Sequence, residues 1–253
     1  MDRERIILLF EELRVRLMII AGAVFLFAII SFTFSDLIRE VLLIPANMAY
    51  AGLDAEGLDL RLIFLTPSEA LLANLRLAFI TSGIVTLPLI LYQLLALAIT
   101  AAGKPRRSAF FLTIIMYILF AMGLSFAYFV VLPFALNFFV GFSGPDLLPN
   151  FSIARYLSFT TSFILSFGLV FQMPVLFWFL GSIGLLNPSF LRKNRKFALL
   201  IIIIFASVLT PPDIFSQVLM AIPLLLLYEL GIFMVYLSWR KKKRREQADL
   251  STG

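Results

Sequence analysis

The chain has no cysteine and no histidine among its 253 residues. Those two absences remove thiol nucleophiles, disulfides, imidazole bases and the usual ligands of zinc, haem and iron–sulfur clusters. Charge is scarce as well, at 14% of the sequence, against 61% hydrophobic residues and a mean hydropathy of +1.01. A soluble domain of average composition is less apolar and more charged. A chain of this length folded in water has nowhere to hide so much hydrocarbon surface, so the solvent for most of it is lipid. Also missing are a Walker sequence, a Gly-rich phosphate loop and paired intramembrane aspartates, which argues against an ATPase or a membrane protease. No cofactor or metal is expected, and the chain is not read as an enzyme.

What is present is a series of long apolar runs. A stretch of about 18 or more apolar residues can cross the roughly 30 Å hydrocarbon core as a helix. Six stretches reach or approach that length: Leu17–Phe34, Leu71–Ala98, Ala109–Leu132, Tyr156–Ile183, Phe197–Thr210 and Ile214–Trp239. The fifth, bounded by Lys196 and Pro211, makes a helix of only roughly 21 Å at about 1.5 Å per residue. Either the bilayer thins around it or it is buried inside the bundle. The N-terminal run lacks a small-residue cleavage site, so it is read as a span that stays and not as a removable signal peptide. Pro88, Pro133, Pro174 and Pro223 fall in or at the ends of spans, where each removes a backbone donor and favours a kink. No internal repeat is visible. The fold class expected is all-α, a polytopic membrane protein of six kinked transmembrane helices in residues 1–239, followed by a basic tail, 240–253.

Orientation follows from lysines and arginines in short loops and tails, which favour the cytoplasm. Of the 21 lysines and arginines, all but Arg39, Arg61, Arg76 and Arg155 fall on one side: before the first span, after the second, after the fourth and after the sixth. Both termini are therefore expected to be cytoplasmic. The first outer loop, Ser35 to Ala70, carries Asp36, Glu40, Asp54, Glu56, Asp59 and Glu69 and makes the opposite face acidic. It ends in Thr66-Pro67-Ser68-Glu69, a helix start with Thr66 as N-cap and Glu69 placed to close a capping box.

Ionisable groups inside hydrocarbon are costly enough to be functional candidates. Glu229, in the sixth span, lies roughly 10 residues from Arg240 and so roughly 15 Å deep. It is read either as a protonated carboxyl bonded to a neighbouring span or as a contact for a partner helix or substrate. Gln172, in the fourth span, is a candidate partner for it across the bundle. Asp213, in the turn Thr210-Pro211-Pro212-Asp213, is read as the N-cap of the last helix. At the entrance of the first span, Glu11 and Glu12 are nearly the only acids on a basic face, and either pair internally with Arg14, Arg16 or a loop or receive a cationic ligand. The Arg240–Arg245 run is read as a topology anchor that favours anionic headgroups; a nucleic-acid partner is not expected.

Several segments together resemble a known family. They are Glu12-Leu13-Arg14, Pro45 in the outer loop, Thr66-Pro67-Ser68-Glu69, Leu91-Tyr92-Gln93, Phe126 through Pro133, Tyr156-Leu157-Ser158-Phe159, Phe167-Gly168, Met173-Pro174, Thr210 through Gln217, Ala221-Ile222-Pro223-Leu224 and Tyr228-Glu229. In this order they are similar to the TatC subunit of the twin-arginine protein translocase. The resemblance implies a signal receptor of a bacterial or archaeal plasma membrane that binds twin-arginine signal peptides of folded cargo and nucleates the export complex. It further implies single-span TatA- and TatB-type partners, a homo-oligomer in the assembled receptor, and export driven by the proton-motive force.

Carried onto this chain, the signal-binding positions are Glu11, Glu12, Arg14 and Leu97. The polar positions toward partner helices are Thr210, Gln217 and Glu229, with Gln172 where many members have glutamate. Pro45 and Asp213 are structural. Members usually carry a glutamate in the first cytoplasmic loop, but this chain has no acid from Leu94 to Arg107. Glu11 joins Glu12 in its place, or signals bind less tightly, or the cargo differs. The rival readings are a small-solute secondary transporter or channel, which needs several midplane polar groups, and a family scaffold without signal binding.

Overall fold

A computed structural model describes residues 3–51, 62–63, 66–101, 106–141, 151–182, 184–209 and 214–251. A backbone N–H or C=O in hydrocarbon has no water to bond, so a spanning segment must satisfy its own ladder, and a helix does so. The sequence is correspondingly helical even where it is rich in β-branched residues. The helices are α1 (Arg3–Thr33), α2 (Ser35–Ala51), α3 (Pro67–Ala101), α4 (Arg106–Phe126), α5 (Leu132–Gly141), α6 (Ile153–Val170), α7 (Met173–Ser182), α8 (Pro188–Lys193), α9 (Arg195–Leu209) and α10 (Ile214–Ser251). Two short strands, β1 (Leu62–Ile63) and β2 (Phe151–Ser152), pair in parallel, Leu62 with Phe151 and Ile63 with Ser152.

Among the described residues, five helical runs are long and apolar enough to cross a membrane: Glu11–Thr33, Ser68–Leu97, Ala109–Phe139, Ile153–Ser182 and Met220–Arg240. The fifth apolar segment of the sequence forms α9, whose 15 residues fall below that length, in keeping with the close spacing of Lys196 and Pro211. The long outer segment, for which the sequence suggested no helix before Thr66, contains α2, opened by Asp36 in its first turn. The run Arg240–Arg245 continues α10 without a break through Ser251.

The prolines act in two ways. Before Pro133 the third span widens into a π-helical turn, Ala127–Val131, where the Leu132 N–H bonds the Ala127 carbonyl. One extra residue in the turn gives the ladder a way past a residue that has no donor. At Pro174 the fourth span breaks between α6 and α7, and the Gln172 N–H bonds Leu169 O at 3.0 Å in a tighter turn. Pro88 and Pro223 sit inside α3 and α10, which continue through them.

The chain divides into two compact units. The first holds residues 1–118 and 136–161. In it α1 packs along α3, α2 touches both, and β1 pairs with β2. Glu69 makes one half of the expected capping box, accepting from the Thr66 N–H at 3.4 Å, while the Glu69 N–H goes to the Thr66 backbone carbonyl at 3.1 Å and not to its side chain. Its other oxygen accepts from Ser152 Oγ and from the Ala154 N–H at 3.3 Å, so one carboxylate serves the starts of both α3 and α6. Pro45 is buried within α2, one turn from Leu42, whose carbonyl accepts from the buried Tyr156 hydroxyl at 2.7 Å.

The second unit holds residues 119–135 and 162–253. Here α10 packs against α7, α9 and α8 around Leu191, Ile202, Leu224, Tyr228, Ile232 and Val235. Asn187 caps α8 by accepting from the Ser189 N–H at 3.0 Å, and the Tyr228 hydroxyl donates to Leu191 O at 2.9 Å, tying α8 to α10. Gly184, at φ 86°, takes the left-handed conformation that ends α7.

Close approach in this unit depends on missing side chains. A Cβ on Gly231 would lie 2.5 Å from Phe177 Cδ2, whereas one on Gly22 in α1 meets nothing within 4 Å. Gly231→Val is therefore expected to destabilise the detergent-solubilised protein by about 1–3 kcal/mol through overpacking. Gly22→Ala is expected to be neutral or to stabilise by about 0.5–1 kcal/mol. Thermal unfolding of both variants checks the contrast.

Candidate functional site

The acids at the entrance of the first span sit on a helix. Glu12 and Arg16 are one turn apart on α1, the spacing at which a glutamate and a following arginine meet. Arg16 Nη2 reaches Glu12 Oε1 at 2.5 Å and Nε reaches the same oxygen at 3.2 Å. Its remaining nitrogen, Nη1, donates to Gln93 Oε1 at 2.7 Å and to the Gln93 carbonyl at 3.0 Å. A guanidinium is thus held by a carboxylate from α1 and two neutral oxygens from α3, with only 11% of the Arg16 side chain exposed.

Of the internal pairings open to Glu12, with Arg14, Arg16 or a loop, the structure forms the one with Arg16. Glu11 and Arg14 are exposed and have no partner among the described residues. Leu97, half-buried, lies one turn beyond Gln93 on the same face of α3. Beside Gln93, Tyr92 helps line an open apolar groove of about 440 Å³ with Pro88, Phe110, Thr113, Ile114, Tyr117 and Ile118.

Within the second unit the polar groups gather around α10. Glu229 is ion-paired with Arg195 at the start of α9, Nη2 to Oε2 at 2.7 Å, and both side chains are about half exposed. The partner of Glu229 is thus Arg195, from the basic segment after the fourth span, and not Gln172, the candidate that the sequence offered. Gln172 lies in the α6–α7 turn and its Nε2 donates to Gly168 O at 3.4 Å. Gln217 Nε2 donates to the Ile203 carbonyl on α9 at 3.0 Å. Thr210 and Asp213 lie outside the described residues. Sequence reading assigned no role to Gln93 or Arg195. The signal for Gln93 was a polar residue near the C-terminal end of a span, and for Arg195 a cation 34 positions from Glu229, a separation that no local periodicity reveals. Among the described residues no cluster of His, Cys, Asp or Glu is placed to hold a metal.

Residues 9–223 match the family described as TatC, Sec-independent protein translocase protein. The chain belongs to the TatC family. It is 37% identical over 226 residues to the Sec-independent protein translocase protein TatC of Carboxydothermus hydrogenoformans, covering 88% of this chain and 89% of that one. It is 36% identical to the Aquifex aeolicus TatC over 241 residues, 94% of this chain and 97% of the relative. A solved structure described as the twin arginine translocase receptor TatC superposes with a TM-score of 0.79 at 34% identity, covering 91% of this chain and 99% of that chain. This TatC-family chain is accordingly a multi-spanning membrane component of a protein translocase and not an enzyme.

The Arg195–Glu229 pair generates a test. Arg195→Gln and Glu229→Gln each leave one charge without its partner, while the double variant leaves none. A coupling of about 0.5–1 kcal/mol is expected for a half-exposed pair, read from thermal unfolding of the two single variants and the double. Strictly additive losses would show that the pair contributes nothing.

Proposed function

We propose that this chain is the signal-receptor subunit of its translocase. It binds the twin-arginine signal peptides of folded proteins on the cytoplasmic side of a bacterial or archaeal plasma membrane, where both of its termini lie. It nucleates an export complex with single-span TatA- and TatB-type subunits, and the proton-motive force drives export. The observation that carries this reading is the occupied guanidinium site: Glu12 and Gln93 already hold an arginine, and exposed Glu11 offers a second carboxylate next to it.

A guanidinium presents a planar fork of donors that an ammonium does not reproduce, so this arrangement selects arginine over lysine. The apolar groove beside Tyr92 supplies a wall for the hydrophobic stretch of a signal, and Leu97 and Arg14 flank the approach. In this reading Thr210, Gln217 and Glu229 contact partner helices, with Gln172 a neutral polar group in the fourth span, while Pro45, inside α2, and Asp213 are structural.

The test is crosslinking from a photo-probe beside the arginine pair of a synthetic signal peptide to the protein in membrane vesicles. Charge-assisted hydrogen bonds are worth about 1.5–3 kcal/mol, and about 1.4 kcal/mol is tenfold in affinity. Glu11→Ala, which removes the exposed carboxylate, is therefore expected to weaken arginine-dependent crosslinking roughly tenfold or more, and Glu12→Ala to weaken it less, because a signal arginine there only replaces Arg16. A lysine-pair peptide is expected to crosslink poorly to the unaltered protein. Crosslinking that ignores the arginine pair in a folded sample would refute the receptor role.

A further inference from the structure

Arg76 lies within the span Ser68–Leu97, is exposed, and has no ion-pair or hydrogen-bond partner among the described residues. An arginine inside hydrocarbon is costly unless it reaches a polar layer or a counter-charge. It stands 17 residues from Gln93, which belongs to the polar cluster at the other end of α3. That is roughly 25 Å at about 1.5 Å per residue, which brings Arg76 close to the far edge of a hydrocarbon core roughly 30 Å thick. Side chains on a helix lean toward its N-terminus, here toward the nearer polar layer, so the guanidinium is placed to snorkel.

What surrounds it defines the ligand. Arg76 lines an open groove of about 130 Å³ between α3 and the start of α6, with Leu72, Leu77, Leu157, Ser158 and Thr161 among its walls. The Ser158 hydroxyl makes no hydrogen bond to a described residue, so it stands as a second donor. The groove thus joins one cation and one hydroxyl to apolar walls. On the same helix Leu72 and Phe79 are bare.

We propose that the Arg76 groove binds the phosphodiester of a phospholipid in the outer leaflet, with guanidinium and Ser158 on the phosphate and an acyl chain along Leu72, Leu77 and Leu157. A phosphate accepts from both donors at once, and a lipid reaches the groove from the membrane without a second helix having to lie along it. The proposal rests on the outer placement of the α3 start, and does not depend on signal binding.

The test uses the purified full-length chain in detergent, titrated with phosphatidylglycerol, with diacylglycerol of the same chains, or with soluble glycerol phosphate, and read by its thermal midpoint. Phosphatidylglycerol is expected to raise the midpoint by several degrees and the other two to leave it nearly unchanged. Arg76→Gln is expected to abolish most of the increase and Ser158→Ala part of it. Arg192→Gln/Lys193→Gln, at the basic loop, keeps the Arg76-dependent part. An unchanged increase in Arg76→Gln overturns the proposal, as does an equal response to glycerol phosphate, which indicates a free-anion site, or to diacylglycerol. A photo-crosslinking side chain at exposed Leu72 in native membranes keeps the proposal testable if Arg76→Gln does not fold. A phospholipid adduct supports the proposal, and a protein adduct in its place assigns the groove to a partner's acid and overturns it.

Discussion

Lipid cannot hydrogen-bond, and the rest of the structure depends on that constraint. It makes the spans helical and dictates how side chains are distributed. Phe25, Phe111, Phe129 and Leu226 are bare, whereas Ala28, Ala46, Ala127, Ser82, Thr86 and Thr113 are buried. In water this arrangement would be inside out. In a bilayer large apolar side chains lose nothing by facing lipid, and small residues let helices approach, as Gly231 does for Phe177. Several hydroxyls in the spans turn back on their own helix: Thr86 donates to Ser82 O at 2.7 Å and Thr113 to Ala109 O at 2.9 Å. Each satisfies its donor without needing a partner helix.

The same constraint makes scarce polar groups into markers of depth. In the first unit α3 is held at both ends. Glu69 binds Thr66, Ser152 and Ala154 at one, with Arg39 bridging Asp36 and Asn74 nearby, and Gln93 binds Arg16 at the other. Glu69 and Gln93 are separated by 24 residues of helix, roughly 36 Å, which suits a hydrocarbon core of roughly 30 Å with its interfaces. In the second unit the ion pair of Arg195 with Glu229 relieves what would otherwise be a lone carboxylate in an apolar helix. An acid and a base that are each expensive alone become tolerable together.

How much was legible in the sequence follows from the range of each interaction. The spans, the capping box of Thr66 with Glu69 and the shortness of the Phe197–Thr210 segment depend on residues close in the chain, and periodicity and spacing report them directly. The i, i+4 contact of Glu12 with Arg16 was also within reach, as one of three internal pairings. The second role of Glu69, toward Ser152, joins positions 83 apart, and Tyr156 reaches Leu42 across 114. Nothing in the local pattern selects those partners. For the same reason Glu229 was matched with Gln172 on grounds of polarity alone. The two ways in which the spans accommodate proline, a π turn before Pro133 and a break before Pro174, were equally hidden, because the sequence shows the missing donor but not how neighbouring turns absorb it.

The occupied state of the guanidinium site bears on how an incoming arginine would be received. Removing one partner of a buried charge pair is expensive because the other is left uncompensated. Here Glu12 and Gln93 are engaged with Arg16, so the carboxylate is not left without a counter-charge. In the proposed function, a signal arginine that takes over those oxygens exchanges one guanidinium for another, and Arg16 moves toward the cytoplasmic interface, where its charge is hydrated. The exchange conserves the number of charge-assisted bonds to Glu12, so it supplies little affinity by itself. The net gain must come from contacts that Arg16 never made: the second arginine of the pair on exposed Glu11, and the apolar stretch along the groove beside Tyr92. A single arginine would then compete poorly with Arg16, and discrimination in favour of a pair would follow from the self-occupied site, even though no acid lies between Leu94 and Arg107.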